Sequence, residues 1–168
     1  MNTPKWLAAS AAVAALFAGG MAGAGPAASV SYDQIEANSL ESLAAHGTVD
    51  NVALTTETPV GTDKNQRWHI KSTLDHGLVK IINQANNLCV DVLGGEGGVG
   101  VGEDIVQHVC HESEEEAEEW YQESSGAGTY KFRNRAFDDA CMTSNGPRTA
   151  VTLEICNGGA AQEWRIRP

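Results

Sequence analysis

Four cysteines, two histidines beside one of them and a dense run of carboxylates are the residues whose types and spacing could do chemistry. The cysteines are Cys89, Cys110, Cys141 and Cys156. His108-Val109-Cys110-His111 offers a thiol between two imidazoles, a donor set that zinc accepts. The run Glu112-Ser113-Glu114-Glu115-Glu116-Ala117-Glu118-Glu119 gathers oxygens of the kind that hard cations such as calcium seek. The many carboxylates could also include the acid and base pair of a glycosidase. Each possibility depends on where the chain works and on what holds these residues.

The first residues bear on the compartment. Met1 to Lys5 are positively charged, Trp6 to Ala24 are almost wholly apolar, and small residues at Ala22, Ala24, Gly25 and Ala27 offer cleavage sites. This is the layout of a secretory signal, expected to cover residues 1–28 and to make the chain secreted and extracellular. The stretch is too rich in Ala and Gly for a retained anchor, which needs about 20 strongly apolar residues, so no membrane attachment is expected of the mature form. The remaining 140 residues, 29–168, suit a single domain.

In an oxidising compartment an even number of cysteines reads as disulfides, and four cysteines allow three pairings. That sets the zinc reading aside, because Cys110 then has a sulfur partner. The acidic run lacks the glycine-punctuated pattern of a calcium loop and reads as a solvated acidic loop. No metal and no cofactor is expected. The net charge is −11, or −12 without Lys5, which argues against nucleic acid, whose binding depends on Lys and Arg releasing counterions.

The elements that position these residues are repeated. Trp68, Trp120 and Trp164 lie 52 and 44 residues apart, and each closes a similar phrase: Asn65-Gln66-Arg67-Trp68, Ala117-Glu118-Glu119-Trp120 and Ala161-Gln162-Glu163-Trp164. Gly77-Leu78-Val79-Lys80-Ile81-Ile82-Asn83 answers Gly128-Thr129-Tyr130-Lys131-Phe132-Arg133-Asn134. Cys89 answers Cys141, and Ile105–Cys110 answers Val151–Cys156. That phase favours Cys89–Cys110 and Cys141–Cys156 among the three pairings. The repeats run about 29–68, 69–120 and 121–168. The first is worn: it aligns with Ala44 at the first cysteine and Glu57 at the second. Short branched and aromatic runs bounded by Gly, Asn and Asp predict an all-β chain, and threefold repetition favours a closed, pseudo-symmetric barrel.

Leu88-Cys89-Val90-Asp91-Val92, an alternating strand ending in Cys110 and a Gln-x-Trp phrase, three times over from about Val30 to Pro168, resemble the ricin B-type lectin domain. The resemblance implies a β-trefoil. In that family the Trp packs into the shared core and the Gln satisfies backbone groups, which here implies structural roles for Gln66 and Trp68, Glu118 and Trp120, and Gln162 and Trp164. Glu118 departs from the pattern, since an ionised carboxylate cannot donate, and a looser second lobe is expected.

The resemblance also implies a sugar site. An Asp after the first cysteine accepts hydroxyl hydrogen bonds, and an aromatic ring before the second stacks on the sugar. A strand Gln and the Asn opening Asn-Gln-x-Trp assist, a set suited to galactose-type sugars. The second lobe comes closest, with Asp91, Gln107 and His108, but Ala117 replaces the Asn. In the first lobe Asn65 is present, with His46 near the acidic position and Thr55 near the aromatic one. In the third, Thr143, Glu154 and Ala161 replace the set. Asp91 reads equally as a turn carboxylate. The chain is therefore expected to bind carbohydrate weakly. The alternative is a degenerate trefoil that contacts protein, in interaction or inhibition. No enzyme is expected: a glycosidase pair needs a cleft, and no Gly-x-Ser-x-Gly elbow is present.

Overall fold

The computed structural model describes residues 29–74, 77–112 and 116–168. The expected signal, 1–28, and Ser113, Glu114 and Glu115 of the acidic run lie outside the described residues. The chain forms short strands connected by turns. The first lobe holds β1 (Gln34–Ala37), β2 (Ser42–Ala44), β3 (Val52–Ala53), β4 (Thr55–Glu57) and β5 (Trp68–Ser72). The second holds β6 (Leu78–Asn83), β7 (Cys89–Val92), β8 (Ile105–His108) and β9 (Trp120–Gly126). The third holds β10 (Thr129–Asn134), β11 (Ala140–Thr143), β12 (Thr152–Ile155) and β13 (Trp164–Arg167). β3 and β4 together correspond to the single strands β8 and β12.

Six strands close a barrel. β1 pairs with β13, β13 with β10, β10 with β9, β9 with β6 and β6 with β5. The Asp33–Trp68 bridge joins β5 back to β1, so this ring has no free edge. The hairpins β2–β4, β7–β8 and β11–β12 cap one end. This is a β-trefoil. At the centre of the cap, Leu54 N donates to Ile105 O (2.8 Å), Ile105 N to Val151 O (2.8 Å) and Val151 N to Leu54 O (2.9 Å). The three residues, one from each lobe, are fully buried, and their backbone groups satisfy one another in a cycle.

Each lobe's hairpin turn leans on the next lobe's strand. Asn51 N donates to Gln107 O (2.8 Å), Gly102 N to Leu153 O (2.7 Å) and Arg148 N to Thr56 O (2.6 Å). All three donors have positive φ, at 59°, 91° and 59°, a region natural to glycine and tolerated by asparagine. Arg148 is the bulky exception. In the second lobe Gly100 is demanded by packing as well, because a Cβ there would fall 2.5 Å from the Phe137 ring.

The tryptophans set the register. Trp68, Trp120 and Trp164 are fully buried, and their indole N–H groups donate to Leu43 O, Val90 O and Met142 O, each at 3.0 Å. The equivalence of Leu43, Val90 and Met142 corrects the alignment of the worn repeat by two residues. Ser42, not Ala44, stands at the first cysteine position, and Pro59, not Glu57, at the second. With no cysteine in that lobe, sequence had nothing to pin the register. Disulfides join Cys89 to Cys110 and Cys141 to Cys156, each within one lobe. Ile35 to Ala45 forms most of β1, a turn and β2.

Candidate functional site

With the register fixed, the three lobes can be compared position by position. The acidic position is Ala44, Asp91 and Thr143, so Ala44 replaces the earlier assignment of His46. The position opposite the first cysteine is Glu57, His108 and Glu154, through the pairs Ser42–Glu57, Cys89–His108 and Cys141–Glu154. Glu57 therefore takes the ring position that Thr55 was expected to fill.

In the second lobe, β7 faces β8 with Cys89 opposite His108, Val90 opposite Gln107 and Asp91 opposite Val106. Successive strand residues alternate faces. Asp91 and His108 therefore share one face of the hairpin, while Val90, Val92, Ile105 and Gln107 share the other. Three of those four, Val90, Val92 and Ile105, belong to the hydrophobic core. Asp91 is 4% exposed, and its Oδ1 accepts from Val92 N at 2.6 Å. His108 is part-exposed, with Nδ1 4.0 Å from Asp50 Oδ2 of the first lobe and its ring centroid 5.5 Å from that of His111.

Gln107 does not belong with them. It is fully buried, and its amide is used within the protein: Nε2 donates to His46 O (3.0 Å) and Val49 O (2.7 Å), while Oε1 accepts from His46 N (3.2 Å) and Asn86 Nδ2 (3.1 Å). It fastens the first lobe's turn to the second lobe's strand. The expectation that it helps hold sugar is corrected. Alternation along β8 was the available signal, since adjacent residues cannot face the same ligand.

Glu118 is equally internal. Gln66 Oε1 accepts from Val60 N (2.7 Å) and Gln162 Oε1 from Asn157 N (2.8 Å), while their Nε2 groups donate to Thr58 O (3.0 Å) and Ile155 O (2.9 Å). Glu118 accepts from the equivalent His111 N (3.1 Å) and forms an ion pair with Lys80, whose Nζ also donates to His111 O at 2.7 Å. Lys80 occupies the place of Gln34, which donates to Gln66 Oε1 at 3.3 Å. A charged pair has replaced a neutral one, and the expected looseness is corrected. Glu119 is also buried and pairs with Arg135, whose second nitrogen lies 3.5 Å from Glu116. The described end of the acidic run is thus anchored by cations rather than solvated.

The first and third lobes hold a constellation that sequence reading missed. Thr55 Oγ1 donates to Glu57 Oε1 at 3.0 Å and lies 2.7 Å from His46 Nε2. A hydroxyl has one proton, so the imidazole is the donor in that contact. In the third lobe Asn145 Nδ2 donates to Thr152 Oγ1 (2.9 Å), which donates to Glu154 Oε1 (3.0 Å). Leu93, Val106 and His108 interrupt the chain in the second lobe. Thr-x-Glu, recurring 97 residues apart, was its visible trace. These two lobes offer oriented carboxylate acceptors, with glutamate rather than a ring opposite the first cysteine position.

The designed threefold-symmetric protein ThreeFoil is similar at 20% identity, covering 82% of this chain and 98% of that one, with a TM-score of 0.73. The Rhizoctonia solani agglutinin is similar at 13% identity, covering 86% and 99%, with a TM-score of 0.70. An exo-β-1,3-galactanase from Clostridium thermocellum is similar at 18% identity with a TM-score of 0.72. Coverage there is 84% of this chain, which spans only 30% of the galactanase. At these identities the likeness concerns the fold. No curated protein matches the chain in sequence. The family described as ricin-type beta-trefoil lectin domain-like matches residues 37–101 and 64–152, together more than half of the sequence. With three Trp-centred lobes, the closed barrel and two in-lobe disulfides, that match settles the family: the chain belongs to the ricin-type β-trefoil lectin domain-like proteins.

Proposed function

We propose that the chain is a secreted, non-catalytic carbohydrate-binding module that takes galactose-type sugars weakly through its second lobe. The observation that carries this reading is the common face of Asp91 and His108 on the β7–β8 hairpin. The Val92 N–H holds the Asp91 carboxylate in one orientation, and an ionised carboxylate is an acceptor of the kind that adjacent sugar hydroxyls seek. The part-exposed imidazole offers a flat surface for the C–H face of the ring. Membership of a lectin-like family supports the reading, as do similar folds in an agglutinin and in a galactanase. With Ala117 in the Asn position and Gln107 committed elsewhere, one charged acceptor and one modest ring remain. Affinity is therefore in the millimolar range, about −4 kcal/mol.

Calorimetric or NMR titration with galactose-type sugars tests this, comparing the parent with Asp91→Ala. Loss of a charged hydrogen-bond acceptor costs about 1.5–3 kcal/mol, so the variant should show no measurable binding. Equal binding by both proteins would move the site away from Asp91. Failure to bind any glycan would favour the protein-interaction reading.

A further inference from the structure

Two asparagines are followed by glycine, Asn145-Gly146 and Asn157-Gly158, and both pairs lie in the third lobe. In such a pair the glycine nitrogen can attack the asparagine carboxamide, because no side chain shields it. The fold treats the two pairs differently. Asn145 is tied down by the nitrogen that would have to leave: its Nδ2 donates to Ala150 O and to Thr152 Oγ1, each at 2.9 Å. The nitrogen that would have to attack, Gly146 N, donates to Ser144 Oγ at 3.4 Å.

Asn157 is held the opposite way. Its Oδ1 accepts from Gly159 N at 2.7 Å, an Asx turn. Its Nδ2 and the adjoining Gly158 N make no hydrogen bond among the described residues. The residue is exposed to water. Gly159 is required for this approach, since a Cβ there would fall 2.8 Å from Asn157 Oδ1. Asn83, Asn86 and Asn134 make the same turn, with Ala85 N, Leu88 N and Ala136 N. They are followed by Gln84, Asn87 and Arg135, whose side chains crowd the nitrogen, and Asn83 and Asn134 are fully buried. Among the described residues Asn157 alone combines the turn, the glycine and exposure.

We infer that Asn157 is a self-modification site, at which Gly158 N displaces ammonia from the carboxamide. The nitrogen gives its proton to solvent and bonds to Cγ. Negative charge then gathers on Oδ1, where the Gly159 N–H already points. The Cγ–Nδ2 bond breaks, and ammonia leaves with a proton from water. Water opens the cyclic imide at either carbonyl, giving aspartate or isoaspartate. In isoaspartate the main chain runs through the former side chain and gains a methylene. Asn157 N donates to Gln162 Oε1 at 2.8 Å, and Gln162 Nε2 donates to Ile155 O at 2.9 Å. The longer chain opens this clasp on the third lobe's tryptophan phrase, so the module carries a timer for its own loosening. The inference is independent of the sugar reading.

The test is incubation of the folded protein at neutral pH, followed by reduction, trypsin digestion and mass spectrometry. Trypsin cleaves after Arg135, Arg148 and Arg165, so the two asparagines are weighed in separate peptides. Asn157 should convert to acid, and the product should accept a methyl group from an isoaspartyl methyltransferase. Asn145 should remain an amide over the time that consumes half of Asn157. In urea, with the disulfides reduced, the two should convert at similar rates, because the fold no longer tells them apart. Gly159→Ala, which pushes the exposed carboxamide off the Gly159 N–H, should slow conversion severalfold in a protein that still folds. The converted protein should melt below the parent. An intact Asn157, equal conversion of both asparagines in the folded protein, or an undiminished rate in folded Gly159→Ala would overturn the inference.

Discussion

Lys80 and Glu118 form an ion pair with little exposure to water, at the positions where the first lobe holds the neutral amides Gln34 and Gln66. Glu118 is fully buried, so removing Lys80 leaves a buried carboxylate held only by the His111 N–H and the neighbouring His111 imidazole, 3.5 Å away. Lys80→Gln should destabilise by about 3–5 kcal/mol. Adding Glu118→Gln should recover most of that loss, since the pair then matches the first lobe. Urea unfolding of the parent, both single variants and the double variant measures the coupling. Additive losses would show that the two residues act separately.

Trp68→Ala or Trp164→Ala should destabilise by about 3–5 kcal/mol. Each empties a fully buried aromatic site and leaves Leu43 O or Met142 O without its indole donor. Thermal melting checks this, and a variant that melts with the parent contradicts the packing described.

Gln107→Ala should cost stability and spare binding. Its amide bonds to two backbone carbonyls and one backbone N–H of the first lobe, so truncation strands buried groups at about 1–3 kcal/mol each, less whatever water regains. Sugar titration should give the parent's affinity, while denaturation shows the loss. The opposite pattern would return Gln107 to the site.

Acid should loosen the β9–β10 hairpin through Glu123. Burial alone would raise its pKa, but the 2.8 Å hydrogen bond from Arg133 and the charges of Arg133 and Lys131 more than reverse this. The carboxyl is held below its ordinary 4.5. A depressed carboxylate stabilises the fold above its unfolded value, and that contribution is lost as pH falls through the folded one. Stability measured from pH 6 downward should therefore decline less steeply in Glu123→Gln. An unchanged slope would assign acid sensitivity to other groups.

The strands, the repeat and both disulfides were legible because they follow from local pattern: Leu78–Asn83 and Thr129–Asn134 read alike, and their cysteines fall in phase. The first lobe's register was not, because Ser42 and Pro59 carry no trace of the sulfurs they replace. Glu118 looked like a defect in sequence because its compensation, Lys80, lies 38 positions away and resembles any surface lysine. Gln107 could have been placed by alternation alone. Asp91 and His108 were legible as a pair, being two of a motif on one face. The Thr-x-Glu chains of the outer lobes needed three dimensions to gain their third members, His46 and Asn145.

The barrel closes where β13 is laid against β1, with Gln34 opposite Arg167 and Ala37 opposite Trp164. Glu36 and Arg167, 131 positions apart, bond across that seam. Contacts of such span are slow to find, because most of the chain must be ordered before they form. Of the six strands of the ring β13 is the last in chain order, so β1 keeps an open edge until β13 is laid down. Losing β13 would then unfasten the whole ring rather than fray one edge. Joining the described termini by a short linker and opening a surface turn elsewhere should leave the ring intact and quicken its assembly.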